Sequence, residues 1–145
     1  MKAVVLVGGE GTRLRPLTFT TPKPLLSIAN QPHLERQLAW LAAHGVDEVV
    51  LSMGYLPDAF HGHFAHDGSG DDVFGDVVVR YAVEDEPLGT AGAIRFAAEG
   101  IDERFIVCNG DVLTSLDLGA MVRFHDEQGA EATISLTQVQ DPSAF

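Results

Sequence analysis

Residues 3–24 read Ala3-Val4-Val5-Leu6-Val7-Gly8-Gly9-Glu10-Gly11-Thr12-Arg13-Leu14-Arg15-Pro16-Leu17-Thr18-Phe19-Thr20-Thr21-Pro22-Lys23-Pro24. An unbroken apolar run, Ala3–Val7, has the pattern of a strand buried on both faces of a parallel sheet. Gly8, Gly9 and Gly11 then let successive N–H groups point into one small concavity, since φ > 0 costs glycine little. Arg13, Arg15 and Lys23 bring fixed positive charge to the same end of the strand. That combination suits a polyphosphate. The spacing is not the G-x-G-x-x-G of a dinucleotide fingerprint, and the Gly-Lys-Ser/Thr ending of a P-loop is missing. Pro16, Pro22 and Pro24 argue against a long helix here, so irregular backbone is expected to wrap the ligand.

Outward from this stretch, strand-like and helix-like segments alternate. Asn30 is expected to cap a helix with Pro32 at its first position, Leu34, Leu38 and Leu41 on its apolar face and Gly45 as its stop. Glu48–Met53 reads as a second strand, Pro57–Phe64 as a short helix and Asp67–Gly75 as a Gly/Asp-rich loop. Asp76–Val83 reads as a third strand, Gly89–Glu99 as a small-residue helix and Arg104–Asn109 as a fourth strand. Leu116–Gln128 is expected to be a helix ending at Gly129, and Ala132–Val139 a fifth strand. Such alternation implies an α/β, doubly wound, mostly parallel sheet. Ligands bind beyond the carboxyl ends of such strands. The glycine turn follows strand one, Glu84–Gly92 follows strand three and Asp111 follows strand four, so all three fall on one edge of the sheet.

The 145 residues are 46% hydrophobic and 21% charged, as expected of one globular domain. No apolar run is long enough to span a membrane, and the start lacks the layout of a secretory signal. The single cysteine, Cys108, permits no internal disulfide, fits a reducing compartment and lies in an apolar run as an inert thiol. A cytoplasmic location is therefore expected. The net charge of −12 argues against a nucleic-acid partner. Residues 1–23 nevertheless carry Lys2, Arg13, Arg15 and Lys23 against Glu10 alone, a local +3, which leaves −15 for the rest. An acidic body with a basic glycine loop favours a small anionic ligand over a polyanion. His61, His63 and His66, near Asp67, Asp71 and Asp72, do not have the spacing of a metal-ligand set and are expected on a solvated loop. Trp40 is expected in the helix core with its leucine neighbours rather than as a stacking platform.

The string Gly8–Thr18 with Pro22-Lys23-Pro24, the segment Glu84-Asp85-Glu86-Pro87-Leu88-Gly89-Thr90-Ala91-Gly92 and the triplet Asn109-Gly110-Asp111 together resemble the signature of the sugar-nucleotide pyrophosphorylases. These nucleotidyltransferases join a nucleoside triphosphate to a sugar 1-phosphate and release pyrophosphate. The resemblance runs from Met1 essentially to Phe145. It implies a Rossmann-like nucleotide-diphospho-sugar transferase fold, here incomplete at its C-terminal side, with residues 1–145 as the nucleotide-binding part.

By that resemblance Arg13 and Lys23 contact the triphosphate, and Leu6, Gly8, Gly9, Gly11, Thr12, Glu84 and Gly89 line the nucleotide site. Asn109 and Gly110 lie against the sugar phosphate, and Asp111 holds Mg²⁺. The chemistry of the residues agrees: Arg13 can fork onto two phosphate oxygens, and a hard carboxylate suits Mg²⁺ beside phosphates. Arg15 has no such role assigned. Base choice rests on Glu84. A carboxylate can accept both the N1–H and N2–H of guanine, whereas thymidylyl- and uridylyl-transferring relatives carry glutamine five residues before the glycine matching Gly89. Glu84 therefore points to GTP, and the Pro87–Gly92 run resembles the mannose-1-phosphate guanylyltransferases. A glucose-1-phosphate thymidylyltransferase and a non-catalytic nucleotide-sugar sensor are the alternatives.

Family catalytic domains run well past this length. A second metal aspartate, a sugar-phosphate lysine and the hexapeptide-repeat β-helix of longer relatives are not in the sequence, so this chain taken alone is expected to bind nucleotide weakly and to catalyse poorly if at all. The apolar sheet edge that such an ending would expose invites association into a homo-oligomer.

Overall fold

The computed structural model describes residues 1–66, 71–141 and 143. The chain divides into two compact units, Met1–Leu113 and Thr114–Phe145. In the first, β1 (Lys2–Leu6), β4 (Glu48–Met53), β7 (Val77–Val83) and β8 (Phe105–Asn109) form the parallel heart of a six-stranded sheet. Two short strands, β5 (Ala65–His66) and β6 (Asp72–Phe74), extend it antiparallel beyond β7, giving the order β5-β6-β7-β4-β1-β8. A two-stranded ribbon, β2 (Ser27–Ile28) with β3 (Gln31–Pro32), precedes helix α1 (His33–Ala43). Helix α2 (Gly89–Ala97) links β7 to β8. The chain thus steps one way from β1 through β4 to β7, then returns across the sheet to β8. This reversal opens a crevice at the carboxyl ends of β1 and β8.

Both crossover helices follow from the sequence periods. Leu34, Leu38 and Leu41 of α1 are fully buried, and α1 ends at His44 and Gly45, where φ is +82°. One sheet face carries Val4 and Val50, which pack with Ala97 of α2 and with Leu6, Ala82, Ala98, Ile101 and Phe105. Side-chain alternation turns Ala3, Val5, Val49 and Leu51 to the other face, and all four are buried. Burial on both faces is why these strands read as continuous apolar runs.

Several local expectations are corrected. Asn30 does not cap α1. With Ala29 it forms the β2–β3 turn at φ +63° and +50°, a conformation that competes with capping, and Pro32 takes the cap position. Pro57–Phe64 yields one 3₁₀ turn, Pro57–Ala59, because Leu56 and Gly62 have positive φ and break any longer helix. Within the expected loop 67–75, residues 67–70 lie outside those described, but Asp72–Phe74 is strand β6. Gly75 at φ +60° turns it into β7, a two-residue hairpin that the Gly/Asp composition disguised. Trp40 is half-buried, edge-on to His44, rather than fully in the core.

The second unit contains α3 (Leu118–Gln128), whose N-terminus is capped by Asp117 accepting from the Ala120 N–H at 2.9 Å. The cap places the helix start two residues later than periodicity suggested. Gly129 at φ +57° ends it as expected. Ala132–Val139 forms no strand. Its alternation is that of a strand, but no ladder pairs with it, and Ile134 and Leu136 remain 78% and 87% exposed. A strand without a neighbour leaves its main-chain groups to water and so is not held extended.

Candidate active site

The glycine turn leaves β1 and folds into three successive 3₁₀ turns, Thr12–Leu14, Leu17–Phe19 and Lys23–Leu25. Gly11 (φ +60°) pivots the first of them. A Cβ there would lie 3.0 Å from Thr18 Cγ2 and 3.2 Å from Lys23 Cβ. Fully buried Thr18 donates its hydroxyl to Gly11 O at 2.9 Å, and Tyr55 donates to Thr18 O at 3.1 Å. The loop is irregular but pinned. Arg15 pairs with Glu10 at 2.9 Å and lies over the Phe19 ring at 5.4 Å. Arg13, one turn earlier, is exposed toward the crevice and makes no ion pair among the described residues.

Lys23 sits between buried Pro22 and Pro24. Its turn is closed by Leu25 N–H to Pro22 O (2.9 Å) and Leu26 N–H to Lys23 O (3.1 Å). Across the crevice, β8 ends at Asn109, and Gly110 donates its N–H to Leu6 O at 2.8 Å. Gly110 has to be glycine. A Cβ would lie 2.6 Å from Val7 Cγ1 and 2.9 Å from Leu6 O. That close approach brings Asp111 against the loop, where its Oδ2 accepts from Lys23 Nζ at 2.6 Å. Both side chains keep contact with solvent, 34% and 44% exposed.

The third wall follows β7. Glu84 N–H donates to Met53 O, tying this segment to β4. The Glu84 carboxylate accepts from Ser52 Oγ at 3.2 Å through Oε1 and from Leu88 N–H at 3.0 Å through Oε2. Gly89 at φ +68° then opens α2. The three walls enclose a cleft of about 690 Å³, within the usual size range of ligand pockets. Leu6, Gly8, Gly9, Gly11, Arg13, Lys23, Glu84, Gly89, Asn109, Gly110 and Asp111 all line it. Thr12 and Arg15 do not line it. A smaller hollow of about 480 Å³ contains Lys2 and Arg80, but both cations are already paired with Glu48, at 3.2 and 3.4 Å.

Sequence reasoning missed part of the cleft. Ser52 and Tyr55, at the end of β4, line it together with Gly54. The available signal was a buried serine inside the apolar run Val49–Met53, at the carboxyl end of a parallel strand. Gln37 was missed as well. It is buried among the α1 leucines and donates from Nε2 to Asn109 O at 2.9 Å. Beside it, burial pushes the His33 imidazole below its ordinary value, against the pull of the Asp111 carboxylate.

The histidines do not converge. His63 pairs with Glu35, His66 with Asp72, and His61 lies against the Tyr81 ring; Asp67 lies outside the described residues. No group of three His, Cys, Asp or Glu able to hold a metal gathers among the described residues. Cys108 is half-buried, and burial pushes its thiol up to about 11, out of the range of an active nucleophile.

Residues 2–145 match the model of the nucleotidyl transferase family. The chain belongs to that family. It is 42% identical to the probable mannose-1-phosphate guanylyltransferase 2 of Arabidopsis thaliana, over 100% of this chain and 41% of the relative. It is likewise 42% identical to the mannose-1-phosphate guanylyltransferase of Mycobacterium tuberculosis, over 99% of this chain and 39% of the relative. The crystal structure of HddC from Yersinia pseudotuberculosis complexed with GMP-PN superposes with a TM-score of 0.71 at 34% identity, covering 86% of this chain and 53% of that one. The chain therefore spans about two-fifths of the length of the curated relatives it matches. Nucleotidyl transferases of this family take a nucleoside triphosphate and a sugar 1-phosphate, and they generally use a divalent metal. Asp111 fits such a metal as one hard carboxylate on the cleft wall, suited to a cation whose other ligands are phosphate oxygens and water. No helix among the described residues is long and apolar enough to cross a membrane.

Proposed function

We propose that this chain is the nucleotide-binding part of a mannose-1-phosphate guanylyltransferase. The reaction transfers a guanylyl group from GTP to mannose 1-phosphate, giving GDP-mannose and pyrophosphate, with Mg²⁺ as the divalent cation. The observation that carries this reading is the single cleft in which the glycine loop, the Lys23–Asp111 pair and the Glu84 carboxylate meet. The names of the relatives support the sugar and the base.

In this reaction a sugar-phosphate oxygen forms a bond to the α-phosphorus while the bond to the bridging oxygen of the pyrophosphate breaks. No covalent enzyme intermediate is required. The protein must align two anions that repel each other and neutralise charge as the transfer proceeds. Main-chain N–H groups around Gly8–Gly11 face the phosphates, and Arg13 forks onto their oxygens from the rim. Lys23 contributes a compact positive charge from a turn fixed by two prolines, so little entropy is lost on positioning it. Asp111 is the carboxylate that would hold Mg²⁺, which when bound neutralises phosphate charge. The charge of Asp111 and that of Lys23 offset one another on the cleft wall. Glu84, already aligned by Ser52 and Leu88, keeps lone pairs free to accept two guanine N–H groups.

The test is pyrophosphate release by the full chain supplied with Mg²⁺, either mannose 1-phosphate or glucose 1-phosphate, and GTP, dTTP or UTP in turn. Slow release with GTP and mannose 1-phosphate, faster than with any other pair, is expected. Turnover with dTTP and glucose 1-phosphate instead would overturn the base and sugar assignment. Nucleotide binding with no turnover on any pair would favour either a sensor or a nucleotide-binding part that needs the rest of a longer catalytic domain to turn over.

A further inference from the structure

Helix α1 carries a polar side chain where its pattern calls for an apolar one. Gln37 lies between Leu34, Leu38 and Leu41, all fully buried, and is itself only 3% exposed. A buried amide in a leucine stripe costs stability unless its hydrogen bonds are made. The bond it makes is specific: Nε2 donates at 2.9 Å to the main-chain carbonyl of Asn109, the last residue of β8 and two before Asp111. At the start of the same helix, His33 N–H donates to Leu26 O at 3.1 Å, next to the turn that carries Lys23. One rigid helix therefore grips both loops whose side chains meet at 2.6 Å in the cleft, 88 residues apart in sequence.

Nothing in the core explains this amide. Gln37 Oε1 and both ring nitrogens of His33, 5% exposed, find no hydrogen-bond partner among the described residues. A leucine or methionine at 37 would satisfy the helix better. What glutamine adds is the bond to Asn109.

We propose that Gln37 is a positioning residue for Asp111: from α1 it fixes the end of β8, and so sets the affinity with which the cleft takes a divalent cation together with a triphosphate. This rests on the functional reading above, but it acts at one end of the cleft. Gln37 bonds to Asn109, whereas Glu84 is held by Ser52 and Leu88 and the glycine turn by Thr18. Removing the amide should therefore weaken the metal-dependent part of nucleotide binding and spare the metal-independent part.

Gln37→Met keeps the volume and helix propensity and deletes the donor. Leu41→Ala serves as a control, since it destabilises the same helix and leaves the Gln37 amide that bonds Asn109 in the chain. Calorimetric titration of GTP into the full chain is run in EDTA and across a Mg²⁺ series. Gln37→Met should raise the half-saturating Mg²⁺ about tenfold, which is about 1.4 kcal/mol, with GTP affinity in EDTA within about twofold of wild type. Leu41→Ala should leave the Mg²⁺ requirement unchanged. Hydrogen exchange at the Gly110 amide, bonded to Leu6 O, reads the same bracket with no ligand present. It should be faster in Gln37→Met than in Leu41→Ala. An unchanged Mg²⁺ requirement in Gln37→Met, or an equal shift in both variants, overturns the proposal. If wild type binds no GTP with Mg²⁺, the functional reading falls, and the exchange rate at Gly110 decides for or against the bracket.

Discussion

Lys23 Nζ lies 2.6 Å from Asp111 Oδ2 although 88 residues separate them in sequence. The pair joins the glycine loop after β1 to the end of β8, across the point where the chain reverses its direction through the sheet. Both partners remain a third or more exposed. A pair so placed contributes little to stability, about 0–1 kcal/mol, because water screens it.

That contrast gives the first prediction. Lys23→Ala should lower kcat/KM by about 100- to 1000-fold, the cost of removing one preorganised contact to developing charge. The melting temperature should hardly move. Steady-state pyrophosphate release alongside thermal denaturation checks both, and a large loss of stability would mean that the pair is structural.

Glu84 holds its carboxylate ready through Ser52 and Leu88. Glu84→Gln keeps the shape but replaces an acceptor pair with an amide. The preference for GTP over dTTP and UTP should fall by roughly 10- to 100-fold, the range of a hydrogen bond to a charged group. Competition among the three nucleotides measures it, and an unchanged preference would leave base recognition to other groups.

Gly110→Ala should be harmful at a distance of one residue from the carboxylate. The new Cβ would meet Val7 Cγ1 at 2.6 Å and Leu6 O at 2.9 Å, the latter being main chain that cannot swing aside. Overpacking of this kind costs about 1–3 kcal/mol, visible as a lower urea midpoint. Asp111 would be displaced with it, so Mg²⁺-dependent activity should fall further than stability alone accounts for.

Tyr81 on β7 provides a pH signature. Burial, and then its hydrogen bond to Asp72 and the charge of that carboxylate, raise its phenol well above the ordinary value. The unfolded phenol ionises near pH ~10 while the folded one keeps its proton, so the folded state binds more protons above that point. The contribution of Tyr81 is therefore full below about pH 10 and is lost as pH rises beyond it. Urea midpoints measured between about pH 9 and 11 should fall more steeply for wild type than for Tyr81→Phe.

The fold was legible because its heart is made of local patterns. Ala3–Val7, Glu48–Met53 and Arg104–Asn109 read as strands, the first of them buried, and the leucines of α1 mark a helix, with no knowledge of their neighbours. Legibility failed where a neighbour decides. Asp72–Phe74 looked like loop until β7 gave it a ladder, and Ala132–Val139 looked like strand yet pairs with nothing described. Asn30 carries a residue type that serves both as a helix cap and as a left-handed turn residue, and the β2–β3 ribbon selected the turn.

The same division runs through the cleft. The sequence by itself determined the chemistry: a glycine turn with cations after the first strand, an acid after the fourth, and Glu84 in a motif of its own. Residue type and order along the chain suffice for that, since strand ends on one edge of a parallel sheet face one crevice. Only the tertiary structure decided that Arg15 braces Glu10 while Arg13 faces the crevice, that Lys23 pairs with Asp111, and that Ser52 and Gln37 take part at all. Those are contacts between segments far apart in the chain. Their distances depend on how the helices cross the sheet, which no local pattern encodes.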